Sequence, residues 1–292
     1  MGSCFAQEMS RLLSRVKFDV YDSPFGISFN PLSLSIQLNA IIDGYIYSAK
    51  DLIFDQGLFH SLDHHGQYSH SSSDQMIDVL NRNLLEAKEF LYKANVVIVT
   101  FGSAHYYQHI ASSKIASNCH KIAPLNFVKK KADTEMITNY WNETLDKIRK
   151  FNPKVKFIFS VSPVRYLRDG FIENSRSKAT LIDAIGILEV HQKDFYYFPA
   201  YELIMDDLRD YRYVKEDMVH PNNMAIEYIW NYFANAYFDA NTKMTNERIS
   251  EIVLMQNHRT LHAESSPAQQ TNQVIALKIE KFKQDFPHFK ID

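Results

Sequence analysis

Two short segments near opposite ends of the 292-residue chain hold residue types that could act on a substrate. The first is Gly2-Ser3-Cys4-Phe5-Ala6, a small-residue turn that carries a hydroxyl and a thiol. Phe5, Met9, Leu12, Leu13 and Val16 follow at helical spacing, so the turn runs into an amphipathic helix over 5–16. Backbone N–H groups point outward at a helix start, and the dipole there is positive; both favour a thiolate and a developing oxyanion. Hydrolases place nucleophiles at turns of this kind. The alternative is that Cys4 is a small core residue, as free cysteines commonly are. The second segment is Asp217-Met218-Val219-His220-Pro221, where a His can take a proton and an Asp can fix its tautomer. The chain has twelve histidines, so composition alone makes one such spacing unsurprising. Its place before a helix over 221–238, opened by Pro221, gives it weight.

Other candidates lie between these two. His60, His64, His65 and His70 crowd one stretch, with Asp63 beside the His64-His65 pair. No second ligand pair follows at a standard spacing, and adjacent side chains seldom face one ion, so no metal is expected. Cys119 and His120 are neighbours whose side chains diverge, which suits pocket lining better than a dyad. Arg165 and Arg168 either grip a carboxylate or phosphate or face solvent.

The clearest strand is Val96–Phe101, a continuous β-branched run that indicates burial on both faces and hence a parallel sheet. Further strands are expected at 17–21, 155–161 and 195–198, and helices from Pro31 and over 74–93, 133–150 and 176–190. Ligand sites in parallel sheets lie at the carboxyl ends of strands. Those ends carry Gly102-Ser103-Ala104-His105 and Ser162-Pro163-Val164-Arg165. One domain is expected over 1–240. A helical extension follows over 241–292, packed on it or partly mobile, with helices near 244–259 and 274–282 and a polar linker at 262–272.

Composition excludes several classes. Net charge is −2, so no basic field recruits nucleic acid. Two cysteines make no disulfide framework and fit a reducing compartment. No apolar run is long enough for a membrane span, and no signal peptide is evident at the N-terminus. A cytoplasmic location is expected, unless a missing N-terminal segment carries a signal.

The opening Gly-Ser-Cys-Phe-Ala resembles the GSCFA family, which is similar to the SGNH (GDSL-like) hydrolases. Pro24-Phe25-Gly26 with Asn30-Pro31-Leu32-Ser33, Gly57 to His65, Asn118 to Lys121, and Arg165 to Ser175 resemble further family segments. The resemblance implies a flavodoxin-like three-layer α/β/α sandwich with a mainly parallel sheet. It also implies a central strand before the nucleophile turn, and this chain begins at Met1-Gly2. The natural protein is therefore expected to be longer. Aligned on the glycine, Cys4 is the nucleophile; aligned on the serine, Ser3 is. His220 is then the base and Asp217 its orienter. Gly26 is the implied oxyanion donor, helped by the Gly102 loop, where Ala104 replaces the usual Asn and Ser103 or His105 would substitute. The implied activity is esterase chemistry on an O-acyl carbohydrate or lipid-like substrate, without a cofactor. Acyl transfer, or a non-catalytic carbohydrate- or acyl-binding module, are the alternatives.

Overall fold

The computed structural model describes residues 1–257 and 266–286. The chain divides into two compact units. One comprises Met1–Glu8 and Tyr21–Ile226, and the other Met9–Val20 and Glu227–Asp292.

The first unit is built on a parallel sheet. Strands β3 (Val96–Phe101), β7 (Lys156–Val161) and β8 (Phe195–Phe198) pair in the order β3-β7-β8. Each follows a long helix: α3 (Ser73–Lys93), α4 (Thr134–Phe151) and α5 (Gly170–His191). Local chemistry sets the helix starts. Asn30 accepts the Ser33 N–H at 2.7 Å ahead of α2 (Pro31–Asp43), and Asp133 accepts the Met136 N–H at 2.8 Å ahead of α4. Phe101, Phe157 and Phe159 are fully buried with Trp141 of α4, whose ring lies 5.3 Å from Phe101 and 4.8 Å from Phe159. Each such side chain contributes roughly 1.5–3 kcal/mol by leaving water. The Trp141 indole N–H donates to Pro31 O at 3.0 Å, which ties α4 to the start of α2.

Two smaller sheets complete this unit. A hairpin joins β1 (Leu52–Asp55) to β2 (Leu58–Ser61). Its two turn residues, Gln56 and Gly57, both have positive φ, 48° and 82°, as a type I′ turn requires. An antiparallel sheet, β5-β4-β6, is built from β4 (His105–His109), β5 (Ile115–Ala116) and β6 (Phe127–Lys131). The segment after Gly102 is therefore not a simple loop, because β4 begins at His105.

The strand expected at 17–21 does not form. Lys17 adopts φ 64°, and the N–H groups of Lys17 and Phe18 return to the Ser14 and Leu13 carbonyls, closing α1 (Cys4–Arg15) in a left-handed cap. Phe18 then stacks on Phe238 with ring centroids 5.2 Å apart, instead of joining a ladder. Among the described residues, Met1 and Gly2 are the ones that run beside β3 on the flank away from β7. Met1 O accepts the Thr100 N–H at 3.0 Å, and Gly2 bridges Thr100 in parallel.

The second unit is helical. It holds the end of α1, most of α7 (Asn223–Tyr237), α8 (Ala240–Asn257) and α9 (Ser266–Asp285). A one-turn α6 (Ala200–Glu202) lies earlier, in the first unit. Ile249, Ile252 and Phe282 join α8 to α9, and Arg248 pairs with Asp285 at 2.7 Å. Helix α9 starts at Ser266 and so runs through the latter part of the stretch read as a linker; residues 262–265 lie outside the described residues.

Candidate active site

The Gly2-Ser3-Cys4 turn is fixed by backbone contact with β3. Gly2 sits at φ 137°, and a Cβ there would lie 2.4 Å from Thr100 O, so a side chain cannot occupy this position. The Gly2 carbonyl accepts the Ser28 N–H at 3.0 Å, and Ala6 N–H donates to Ser3 O at 2.8 Å as α1 begins. Cys4 is thereby the first residue of α1 and is half-buried. Ser3 is buried, and its hydroxyl has no hydrogen-bond partner among the described residues.

The second segment is a tight hairpin. Val214 bridges Pro221, Lys215 N–H donates to His220 O at 2.7 Å, and Met218 N–H donates to Lys215 O at 2.9 Å. Met218 takes the left-handed conformation, φ 62°, at the tip. Asp217 Oδ1 accepts the Val219 and His220 backbone N–H groups, each at 2.9 Å. Its Oδ2 lies 2.6 Å from His220 Nδ1. The backbone hydrogen bonds from His220 and Val219, joined by the ring contact, hold the Asp217 carboxyl down at about 2. The Asp217 carboxylate therefore places the proton on Nδ1 and leaves Nε2 as an acceptor. Nε2 lies 3.7 Å from Cys4 Sγ. Residues 216 positions apart thus form one line: thiol, imidazole, carboxylate.

Arg165 belongs to this group through the backbone. Its guanidinium donates to Met218 O at 2.7 Å and so braces the hairpin tip. The remaining expected residues are placed elsewhere. Gly26, at φ 75°, donates its N–H to Ser23 O at 3.0 Å within a turn. The N–H groups of Gly102 and Ser103 both go to Phe29 O, at 2.7 and 3.0 Å. Ser103 is buried, and its hydroxyl accepts the His105 N–H at 3.1 Å and lies 3.3 Å from Ser177 Oγ. His105 Nδ1 is 3.4 Å from Ser103 Oγ and 4.0 Å from the Asp169 carboxylate. Burial and the nearby Lys129 keep the His105 pKa below its ordinary value. Ser103, His105 and Ser177 therefore gather around the entry to β4.

Lys178 escaped the reading of the sequence. It is 1% exposed, and its ammonium donates to Gly102 O at 2.8 Å and Ser162 O at 2.7 Å. It clamps together the carboxyl ends of β3 and β7. Burial lowers its pKa to about 7, against the pull of Cys4 and Glu202. A neutral amine still has two N–H donors, enough for both carbonyls, so the clamp holds in either protonation state. The sequence did carry a signal. Lys178, Leu181, Ile185 and Leu188 share one stripe of α5, and all are buried.

The histidine-rich stretch is a hydrogen-bonded support. His60 Nδ1 lies 2.7 Å from Ser69 Oγ, and its Nε2 lies 3.2 Å from Asp55 O. His120 Nε2 lies 2.6 Å from Ser61 O, and the His60 and His120 rings are 4.8 Å apart. Burial pushes His64 down to about 3 and His120 to about 4, so both are neutral near pH 7. Among the described residues, no group of three or more His, Cys, Asp or Glu side chains is arranged to hold a metal. Likewise, no described helix is long and apolar enough to cross a membrane.

Fold and site together define a mixed α/β protein with a small parallel sheet, flanking helices and a Cys-His-Asp line beside the sheet. The profile of the GSCFA family matches residues 1–233, and the chain belongs to that family. No curated protein and no solved structure matches it.

Proposed function

We propose that this protein is an acyl-ester hydrolase of SGNH type that works through a Cys4 acyl-enzyme, and that its parallel sheet is part of a flavodoxin-like three-layer α/β/α sandwich. The observation that carries the reading is the line Cys4 Sγ, His220 Nε2 and Asp217 Oδ2, with separations of 3.7 and 2.6 Å. His220 takes the thiol proton, and the thiolate attacks the ester carbonyl. The N–H groups of the first turn of α1, Cys4 first, face the developing oxyanion. His220 returns the proton to the leaving alkoxide. Water, or an acceptor hydroxyl in a transferase, then attacks the thioester with His220 as base. Cys4 is preferred to Ser3 because the thiol faces the imidazole, and the Ser3 hydroxyl has no base.

The substrate class this reading favours is an O-acyl carbohydrate or lipid-like ester. A binding module on the same fold is the second reading. It is favoured by the engagement of the Gly26, Gly102 and Ser103 N–H groups within the protein, which removes them as oxyanion donors. Turnover of short-chain acetyl esters by the wild type and by Cys4→Ala, Ser3→Ala and His220→Ala decides between them. The hydrolase reading requires turnover that is lost in Cys4→Ala and His220→Ala and kept in Ser3→Ala. Absence of turnover in the wild type would support the binding module.

A further inference from the structure

Lys178 is a buried amine that the reaction proposed above leaves unused. It reaches from α5 to the carboxyl ends of β3 and β7, where it donates to Gly102 O at 2.8 Å and Ser162 O at 2.7 Å. The Cys4 turn leaves the sheet at the same level. Gly2 bridges Thr100 in parallel, so Cys4 and Gly102 each stand two residues beyond that bridge. The Ser28-Phe29 segment ties the two together: Ser28 N–H donates to Gly2 O at 3.0 Å, and Phe29 O accepts the Gly102 N–H at 2.7 Å. Lys178 therefore holds its amine at the carbonyl beside the start of α1, where Cys4 sits.

The groups around the amine set its charge. Cys4 at the start of α1 and Glu202 of α6 both pull its pKa up, against burial. The Tyr201 ring of α6 lies 5.4 Å from the ammonium. Glu202 is already engaged, with the Tyr197 hydroxyl 2.8 Å from each of its carboxylate oxygens. Cys4 is the group whose charge changes during the reaction, because His220 approaches it at 3.7 Å. A lone charge is costly in so buried a place, and two opposite charges offset much of that cost. A charged amine has three N–H groups; the two strand ends take two, and the third remains for a thiolate.

We propose that Lys178 is a positioning residue of the Cys4 site, and that its buried ammonium is the counter-ion of the Cys4 thiolate. His220 takes the thiol proton; Lys178 keeps its own proton and answers the charge left on Sγ. No proton passes from Cys4 to Lys178. When Sγ bonds to the acyl carbon its charge is gone, and Lys178 then releases its proton more readily. This inference deepens the hydrolase reading and rests on Cys4 ionising at the site.

Two measurements on the whole chain test it. The first follows alkylation by iodoacetamide from pH 5 to pH 10, with Cys119→Ser in each protein so that Cys4 is the one thiol. At pH 6.5 the rate should be about tenfold lower in Lys178→Met, and at pH 10 the two rates should agree. A merely structural loss would change the rate at every pH and leave the midpoint in place. The second follows the Lys178 Cε resonance by carbon-13 NMR. Its midpoint should lie near 7 in the wild type and about one pH unit lower in Cys4→Ser, because the coupling is reciprocal. This measurement needs no Lys178 variant and decides the matter if Lys178→Met does not fold. An alkylation midpoint unchanged in Lys178→Met, or a Lys178 midpoint unchanged in Cys4→Ser, would overturn the proposal. Acylation of Cys4 during turnover with neither shift would remove the ion pair alone; both shifts without ester turnover would keep the pair and remove the hydrolase reading.

Discussion

Replacing Lys178 by Met should remove a pH-dependent part of the protein's stability. The Lys178 pKa falls from its ordinary 10.5 to about 7 in the folded chain, and burial is the main cause. Between those values the unfolded chain holds a proton that the folded chain has released, so stability rises with pH across the window. At pH 7 the folded lysine is half charged, and at pH 9 it is nearly neutral. With ~1.4 kcal/mol per pKa unit, the wild type gains about 2 kcal/mol over the Lys178→Met variant between pH 7 and pH 9. The variant also strands the Gly102 and Ser162 carbonyls, at about 1–3 kcal/mol each. Denaturant unfolding of both proteins at pH 7, 8 and 9, followed by tryptophan fluorescence, measures the difference directly. Titrating groups not coupled to Lys178 cancel in the comparison. A difference that stays constant with pH, or shrinks as pH rises, would refute the argument, because Lys178 would then keep its proton when folded.

Further outcomes follow from the same geometry. Since Asp217 is held at about 2, its folded carboxylate outlasts the ordinary carboxylate range. The Val219 and His220 amide shifts should titrate near pH 2 in NMR, and a midpoint near 4 would contradict the backbone hydrogen bonds described. The Arg165→Ala change frees the Met218 carbonyl; ester kcat/KM should fall about tenfold with the unfolding midpoint unchanged, because the contact is exposed and braces only the His220 hairpin. Burial pushes the Cys119 thiol up to about 11, so at pH 8 its thiolate fraction is about 10⁻³. Peptide mapping after alkylation should leave Cys119 largely unmodified, and its rapid modification would count against that burial. A Cβ at Gly102 would meet Phe29 Cβ at 2.6 Å. Gly102→Ala should therefore cost about 1–3 kcal/mol in a denaturant series, and a neutral result would mean that the backbone gives way freely there.

The parallel sheet was legible because each of its strands is a run of apolar β-formers: Val96–Phe101, then Phe157–Val161, then Phe195–Phe198. The same logic failed at 17–21, where alternation suggested a strand. A left-handed Lys17 ends α1 there, and Phe18 goes to Phe238. The β4–β5–β6 sheet was hidden because His105-Tyr-Tyr-Gln-His109 has neither alternation nor β-branched residues. Its formation depends on cross-strand partners about twenty residues downstream, in Phe127–Lys131. At the site, Cys4, Asp217 and His220 were legible as residue types at suggestive positions. The bond from Arg165 to Met218 O was not, because a backbone acceptor leaves no mark in sequence. The use of the Gly26, Gly102 and Ser103 N–H groups within the protein was hidden for the same reason. Lys178 lay on a visible apolar stripe, where a lysine reads as a solvated neighbour until its burial is known.

In the proposed reaction Cys4 carries the acyl group. Rapid quench of the protein during turnover of an activated acetyl ester, followed by peptide mass spectrometry, tests it most directly. The expected result is one acetyl group on the peptide that contains Cys4, absent from the His220→Ala protein and discharged as turnover ends. An acetyl group on Ser3, or turnover that persists in Cys4→Ala, would contradict it.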